Sequence, residues 1–116
     1  ALRDSEVTVF TMSDIDERGL PTVTEEALAV AGKADGMHIS LDMDFLAPTE
    51  APGVGTPVRG GVTYREAHAA MEAVADRLDS VRSMEVVEVN PILDSHNKTA
   101  ELAVELLASA LGKRIL

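Results

Sequence analysis

Hydrophobic positions recur along this chain with two periods. Residues 6–11, EVTVFT, are rich in β-branched side chains and predict a strand. Ser13 can cap a short helical turn through Asp16 and Glu17, which Gly19 and Pro21 break. Thr22 and Glu25 have capping-box spacing and predict a helix that Gly32 ends. A second strand is expected over 37–44. Residues 45–62 follow as a long loop with three of the five prolines and four of the eight glycines. Thr63 and Glu66 open the next helix, with Ala67, Ala70, Met71, Val74 and Leu78 on one face and His68 off it. MEVVEV, residues 84–89, reads as a third strand. NPILDSHNK is a loop in which Asn97 is the expected N-cap. Thr99 to Leu111 is a helix with Leu102, Ala103, Leu106, Leu107 and Ala110 inward, and Gly112 ends it. About three strands alternating with helices predict an α/β domain, a parallel sheet with helices on its faces. No internal repeat interrupts the pattern.

Composition narrows the partners. The 116 residues suffice for one small domain, and 46% are hydrophobic, so a packed core is expected. Aromatics make up only 3%, so that core is aliphatic. Acidic residues outnumber basic ones 20 to 10, for a formal charge of -10. This argues against nucleic acid, whose phosphates require Lys and Arg clusters, and against anionic membranes. A cation or a metal suits the field better. No cysteine is present, which removes disulfide and thiolate chemistry and fits a cytoplasmic setting. No apolar run reaches about 18 residues. The first residues, ALRDSEVTVF, lack the apolar stretch of a signal peptide and read as a start in mid-domain.

One stretch resists the apolar pattern. HISLDMDF, residues 38–45, places Asp42 and Asp44 two positions apart in the second strand. Strand alternation puts Met37, Ile39, Leu41 and Met43 on one face and His38, Ser40, Asp42 and Asp44 on the other. The two Asp α-carbons would lie roughly 6.6 Å apart. Two carboxylates that close repel, and a divalent cation between them relieves the repulsion. Their hard oxygens suit manganese, magnesium or calcium. The plainer alternative is that both cap the following loop or face water. Their position favours a site, because ligands of open parallel sheets bind beyond the carboxyl ends of strands. A long Gly- and Pro-rich loop of fixed path follows directly, and Glu88, at the end of the next strand, brings a third carboxylate to the same rim.

Three ordered stretches, HISLDMDF, APGVGTPVRGGVTYREA and EVVEVNPILD, resemble the arginases of the ureohydrolase superfamily. The shared pattern is Ser-x-Asp-x-Asp, then Gly-Thr-Pro and Gly-Gly in a loop, then Glu-Val-Asn-Pro. NPILD, NKTA and AVEL make the likeness closest to bacterial arginases. The resemblance covers essentially the whole chain, residues 1–116, as a single C-terminal segment of an arginase-like domain. It implies a three-layer α-β-α fold and hydrolysis of arginine to ornithine and urea at a pair of Mn2+ ions. Asp42 would bridge the metals and Asp44 bind one of them, polarising a water for attack on the guanidinium carbon. Glu88 would pair with the substrate guanidinium, and Thr56 would orient Glu88 by a hydrogen bond.

The chain departs from the pattern at Ala47-Pro48, where an Asp usually precedes the proline. The upstream Gly-Gly-Asp-His and Asp-Ala-His-x-Asp motifs and the shuttle histidine have no counterpart here. His38, His68 and His96 read as structural or solvent-facing, so no catalytic residue is assigned. Two Asp ligands would hold a dinuclear cluster weakly, and little or no activity is expected of the chain alone. The alternatives are a non-catalytic α/β module that self-associates through its open sheet edge, giving a homo-oligomer, and a segment of a related ureohydrolase such as agmatinase.

Overall fold

The computed structural model describes residues 5–115. Strand β1, Met37–Asp42, pairs in parallel with β2, Val81–Val87. Among the described residues there are four α-helices: α1 Met12–Arg18, α2 Leu20–Ala31, α3 Tyr64–Ala75 and α4 Lys98–Ala110. Register pairs Ile39 with Met84, Ser40 with Glu85, Leu41 with Val86 and Asp42 with Val87. Paired residues share a face. Met37, Leu41 and, less deeply, Ile39, Met84 and Val86 therefore join one core with α2, α3 and α4.

The opposite face is polar and open. His38 Nδ1 lies 2.8 Å from Ser83 Oγ, and Ser40 Oγ donates to Glu85 Oε1 at 3.0 Å. The expected parallel sheet with helices packed on it is observed, as a two-stranded sheet whose Met37 and Leu41 side chains meet the helices in the core. The expected strand over residues 6–11 is not formed. Propensity supplies no ladder partner, and Val7 and Val9 are left 61% and 52% exposed. Instead Thr11, not Ser13, caps α1, in a capping box with Asp14. α2 begins at Leu20 and not after Thr22. Gly19, at φ 80°, ends α1 and starts α2, and Pro21 sits in the first turn, where its missing N–H costs nothing. β2 begins three residues earlier than expected and ends at Val87.

The Thr63–Glu66 box caps α3 as expected. His68, however, is on the buried face, 2% exposed. Its Nδ1 is 2.8 Å from the buried Ser109 hydroxyl of α4, and Tyr64 packs on its ring at 4.3 Å. Nε2 has no hydrogen-bond partner among the described residues and lies 3.9 Å from Glu105 Oε2. Helix α4 carries the small side chains that let this ring enter. Burial holds the imidazole pKa below its ordinary value, against the pull of Glu105 and Glu72; Arg65 and Lys113 push with burial. The unfolded chain therefore takes up the proton first. The resulting stability is complete above about pH 6.5 and is lost as pH falls through the folded-state pKa below it. Urea unfolding should show a lower midpoint at pH 5.5 than at pH 7.5. His68→Gln should remove most of that difference, and an unchanged difference would contradict this role.

Candidate functional site

The carboxyl end of the sheet gathers the acidic residues. Strand β1 closes at Asp42, and Met43–Phe45 turns into a short 3-10 helix. Met43 is completely buried in the core, which anchors the turn between two half-buried carboxylates. Asp42 Oδ1 accepts from the Asp44 backbone N–H at 3.0 Å, so the capping role is real. Asp44 is not on a continued strand, as alternation had predicted. The tight turn replaces the pleat, and Asp44 Oδ2 instead accepts the Thr56 hydroxyl at 2.9 Å.

The loop over 45–62 has a fixed path. Leu46 and Val62 form a bridge, with Ala47 N donating to Val62 O at 2.9 Å. The Ala47 carbonyl accepts from Glu50 and Ala51 N–H groups, so main-chain bonds build the turn without a side chain at position 47. Val54 then pairs antiparallel with Val89. This brings the Gly55–Thr56 segment beside Glu88, which follows Val87, the register partner of Asp42. Glu88 Oε2 is 3.4 Å from where a Cβ on Gly55 would sit.

Glu88 is exposed and adopts φ 66°, a left-handed conformation that costs a residue with a Cβ about 1 kcal/mol or more. It borders an open cleft of about 570 Å³ walled by Gly55, Val89, Asn90, Pro91 and Ile92. None of the ion pairs among the described residues uses Asp42, Asp44 or Glu88. The cleft thus presents a carboxylate that forms no ion pair with a described side chain.

The structure brings Asp42, Asp44 and Thr56 into one chain of hydrogen bonds and sets Glu88 beside them. Thr56 has one hydroxyl proton to donate, and it is directed to Asp44. The Thr56–Glu88 bond that the resemblance implied would need that same proton, because an ionised carboxylate only accepts. One oxygen of each Asp takes no hydrogen bond from a described residue. These two hard donors fit a divalent cation in kind but not in number. Among the described residues no three His, Asp or Glu side chains gather in a metal-binding group. His38 and His96 stay at the surface.

Sequence reasoning missed Asp94. Its carboxylate accepts the N–H groups of Ser95, Thr99 and Ala100, and thereby caps α4. Asn97, the expected cap, makes no side-chain bond there. Burial alone would raise the Asp94 pKa, but the bonds from Thr99, Ala100 and Ser95 outweigh it and hold the carboxyl below its ordinary value. The signal was present in the sequence as an Asp five residues before a buried Thr, outside the usual capping spacing.

A parallel sheet with acidic side chains at its carboxyl rim and an ordered loop folded over them defines an α/β protein whose strand ends form the candidate site. The chain belongs to the arginase family, whose sequence model, described as "Arginase family", matches residues 1–112. It is 52% identical over 115 residues to the arginase of Bacillus subtilis (strain 168) and 48% identical over 116 residues to that of Bacillus caldovelox. Each match covers 99% of this chain and 38% of the relative, so the chain spans less than two-fifths of their length. The crystal structure of the Bacillus subtilis arginase superposes with a TM-score of 0.92 at 52% identity, over 99% of this chain and 42% of that one. A proclavaminate amidino hydrolase from Streptomyces clavuligerus, 32% identical, superposes at 0.80 over 90% of this chain and 35% of that one.

Proposed function

We propose that this chain supplies the guanidinium-facing part of an arginase-type hydrolase, acting on L-arginine or a similar guanidino substrate to release urea. The observation that carries the reading is the gathering of Asp42, Asp44, Thr56 and Glu88 at one rim from three separate segments. Glu88 would receive the guanidinium in a pair of parallel N–H···O bonds, the geometry a carboxylate and a guanidinium share. Asp42 and Asp44 would hold manganese, whose chemistry at such sites is Lewis-acid activation of water. Thr56 would fix the rotamer of Asp44, leaving one Asp44 oxygen aimed away from the loop. The remaining metal ligands would come from outside these 116 residues, in a cytoplasmic setting.

The test is reconstitution. The chain is mixed with the part of the Bacillus subtilis arginase outside the match, and urea release from L-arginine is followed with manganese present. Urea should appear in the mixture and not with either part alone, and Glu88→Gln should abolish it. Enzymatic rates from this chain by itself would overturn the division of the site. Urea release by the mixture that Glu88→Gln leaves intact would overturn the role of Glu88.

A second reading is favoured by the open sheet face and by exposed Val7, Val9 and Ile92: a self-associating module. Light scattering at micromolar concentration should then give a mass above 12.3 kDa, and a clean monomer would remove this reading.

A further inference from the structure

We propose that Thr99, held in place by Asp94, is a positioning residue that sets the separation of Asp44 and Glu88 by acting through Gly53. The inference rests on the site reading above but concerns residues that make no contact with it. Thr99 is fully buried in the first turn of α4, and its hydroxyl accepts the Gly53 N–H at 2.7 Å. Asp94 fixes Thr99 from the other side, through two 3.0 Å contacts to its backbone N–H. Asp94 also packs so closely on Gly53 that a Cβ there would fall 2.4 Å from its Cγ. Only glycine allows this approach.

Gly53 is a branch point. Its carbonyl accepts the Asn90 N–H at 2.7 Å, two residues beyond Glu88. Its chain continues through Val54, bridged to Val89, into Thr56, which holds Asp44. The helix start thus grips one residue whose two sides lead to the two acidic parts of the site. Glu88 needs such support, because its left-handed backbone persists only where neighbours over-determine it. Without the Thr99 hydroxyl, a buried N–H loses its acceptor, and the loop and the strand end are free to part.

The test compares Thr99→Val, which keeps the shape and removes the hydroxyl, with Thr99→Ser, which keeps the hydroxyl. Val74→Ala in α3, outside the Thr99–Gly53–Asn90 hydrogen bonds, serves as a destabilised control. Amide hydrogen exchange by NMR is read at Asn90 relative to Leu106. Gly53 loses its acceptor in any role, so Asn90 is the reporter. Thr99→Val should speed Asn90 exchange about tenfold over the Leu106 reference, while Thr99→Ser and Val74→Ala leave the ratio near the parent value. An unchanged ratio in Thr99→Val overturns the proposal.

A second arm titrates the same proteins with millimolar methylguanidinium and follows the Glu88 and Asn90 amide shifts. Thr99→Val should weaken these shifts and Val74→Ala should not. A parent chain that shows no shifts overturns the Glu88 reading, and the exchange arm then decides the positioning proposal by itself.

Discussion

Leu106→Ala should remove about 2–5 kcal/mol, much of the stability of this chain, at 25 °C. Leu106 has no exposed surface and lies in α4 at the centre of the one core cluster. Truncating a buried leucine costs about 2–5 kcal/mol, the transfer of its methyl groups plus the cavity left behind. Small domains hold only about 5–15 kcal/mol in total. This chain belongs at the low end of that range, because one face of its sheet is bare and no residue of β2 is fully buried. Val104 provides the contrast: it is on the same helix, 67% exposed, and Val104→Ala should stay within about 0.5 kcal/mol of the parent. Urea unfolding followed by circular dichroism measures both. A Leu106→Ala loss below about 1 kcal/mol would mean that α4 is not the keystone its burial implies.

That packing was legible in the sequence wherever one helix face or one strand face carried it. The inward set of α4 and the Thr63–Glu66 cap followed from spacing, because both are set within a few residues of chain. The failures share a cause. EVTVFT looks like a strand because Val7, Val9 and their neighbours suit a pleat, but a strand exists only against a partner, and partners are a property of the whole fold. Helical spacing alone puts His68 off the face of Ala67, Ala70, Met71 and Val74, whereas Ser109 on a different helix supplies the bond that makes its burial tolerable. The same holds at the site. The carboxylates at 42, 44 and 88 point to cation chemistry, and the resemblance adds Thr56 and fixes their order. The bond from Thr56 to Asp44 and the turn at Met43 were not visible, because each depends on how an 18-residue loop returns over the strand end. Asp94 and Gly53 were invisible for the same reason: their contact joins segments 41 positions apart and has no local pattern.

Manganese should separate the roles of Asp42 and Glu88. Titrated by calorimetry, the chain alone should bind the ion only weakly, with a dissociation constant of about a millimolar, the weak end of the range for sites built from oxygen ligands. Two free carboxylate oxygens leave most of the roughly six positions around manganese to water. In the mixture with the part of the Bacillus subtilis arginase outside the match, affinity should rise steeply as further ligands close the site. Asp42→Asn there should cost more than about 100-fold, since removing even an indirect partner of a metal ligand costs about 10–100-fold. Glu88→Gln should change manganese affinity little, because Glu88 lies against Gly55 and borders the cleft, with no bond to either Asp. It should instead abolish the response to methylguanidinium. Thr56→Val stands between them. It frees Asp44 from its one side-chain donor among the described residues, so it should weaken manganese binding less than Asp42→Asn does and leave the guanidinium response in place. Equal losses of metal in Asp42→Asn and Glu88→Gln would show that the two acids act as one ligand group, against the separation seen at the rim. A tight site in the chain alone would show that Asp42 and Asp44 need no ligands from outside it.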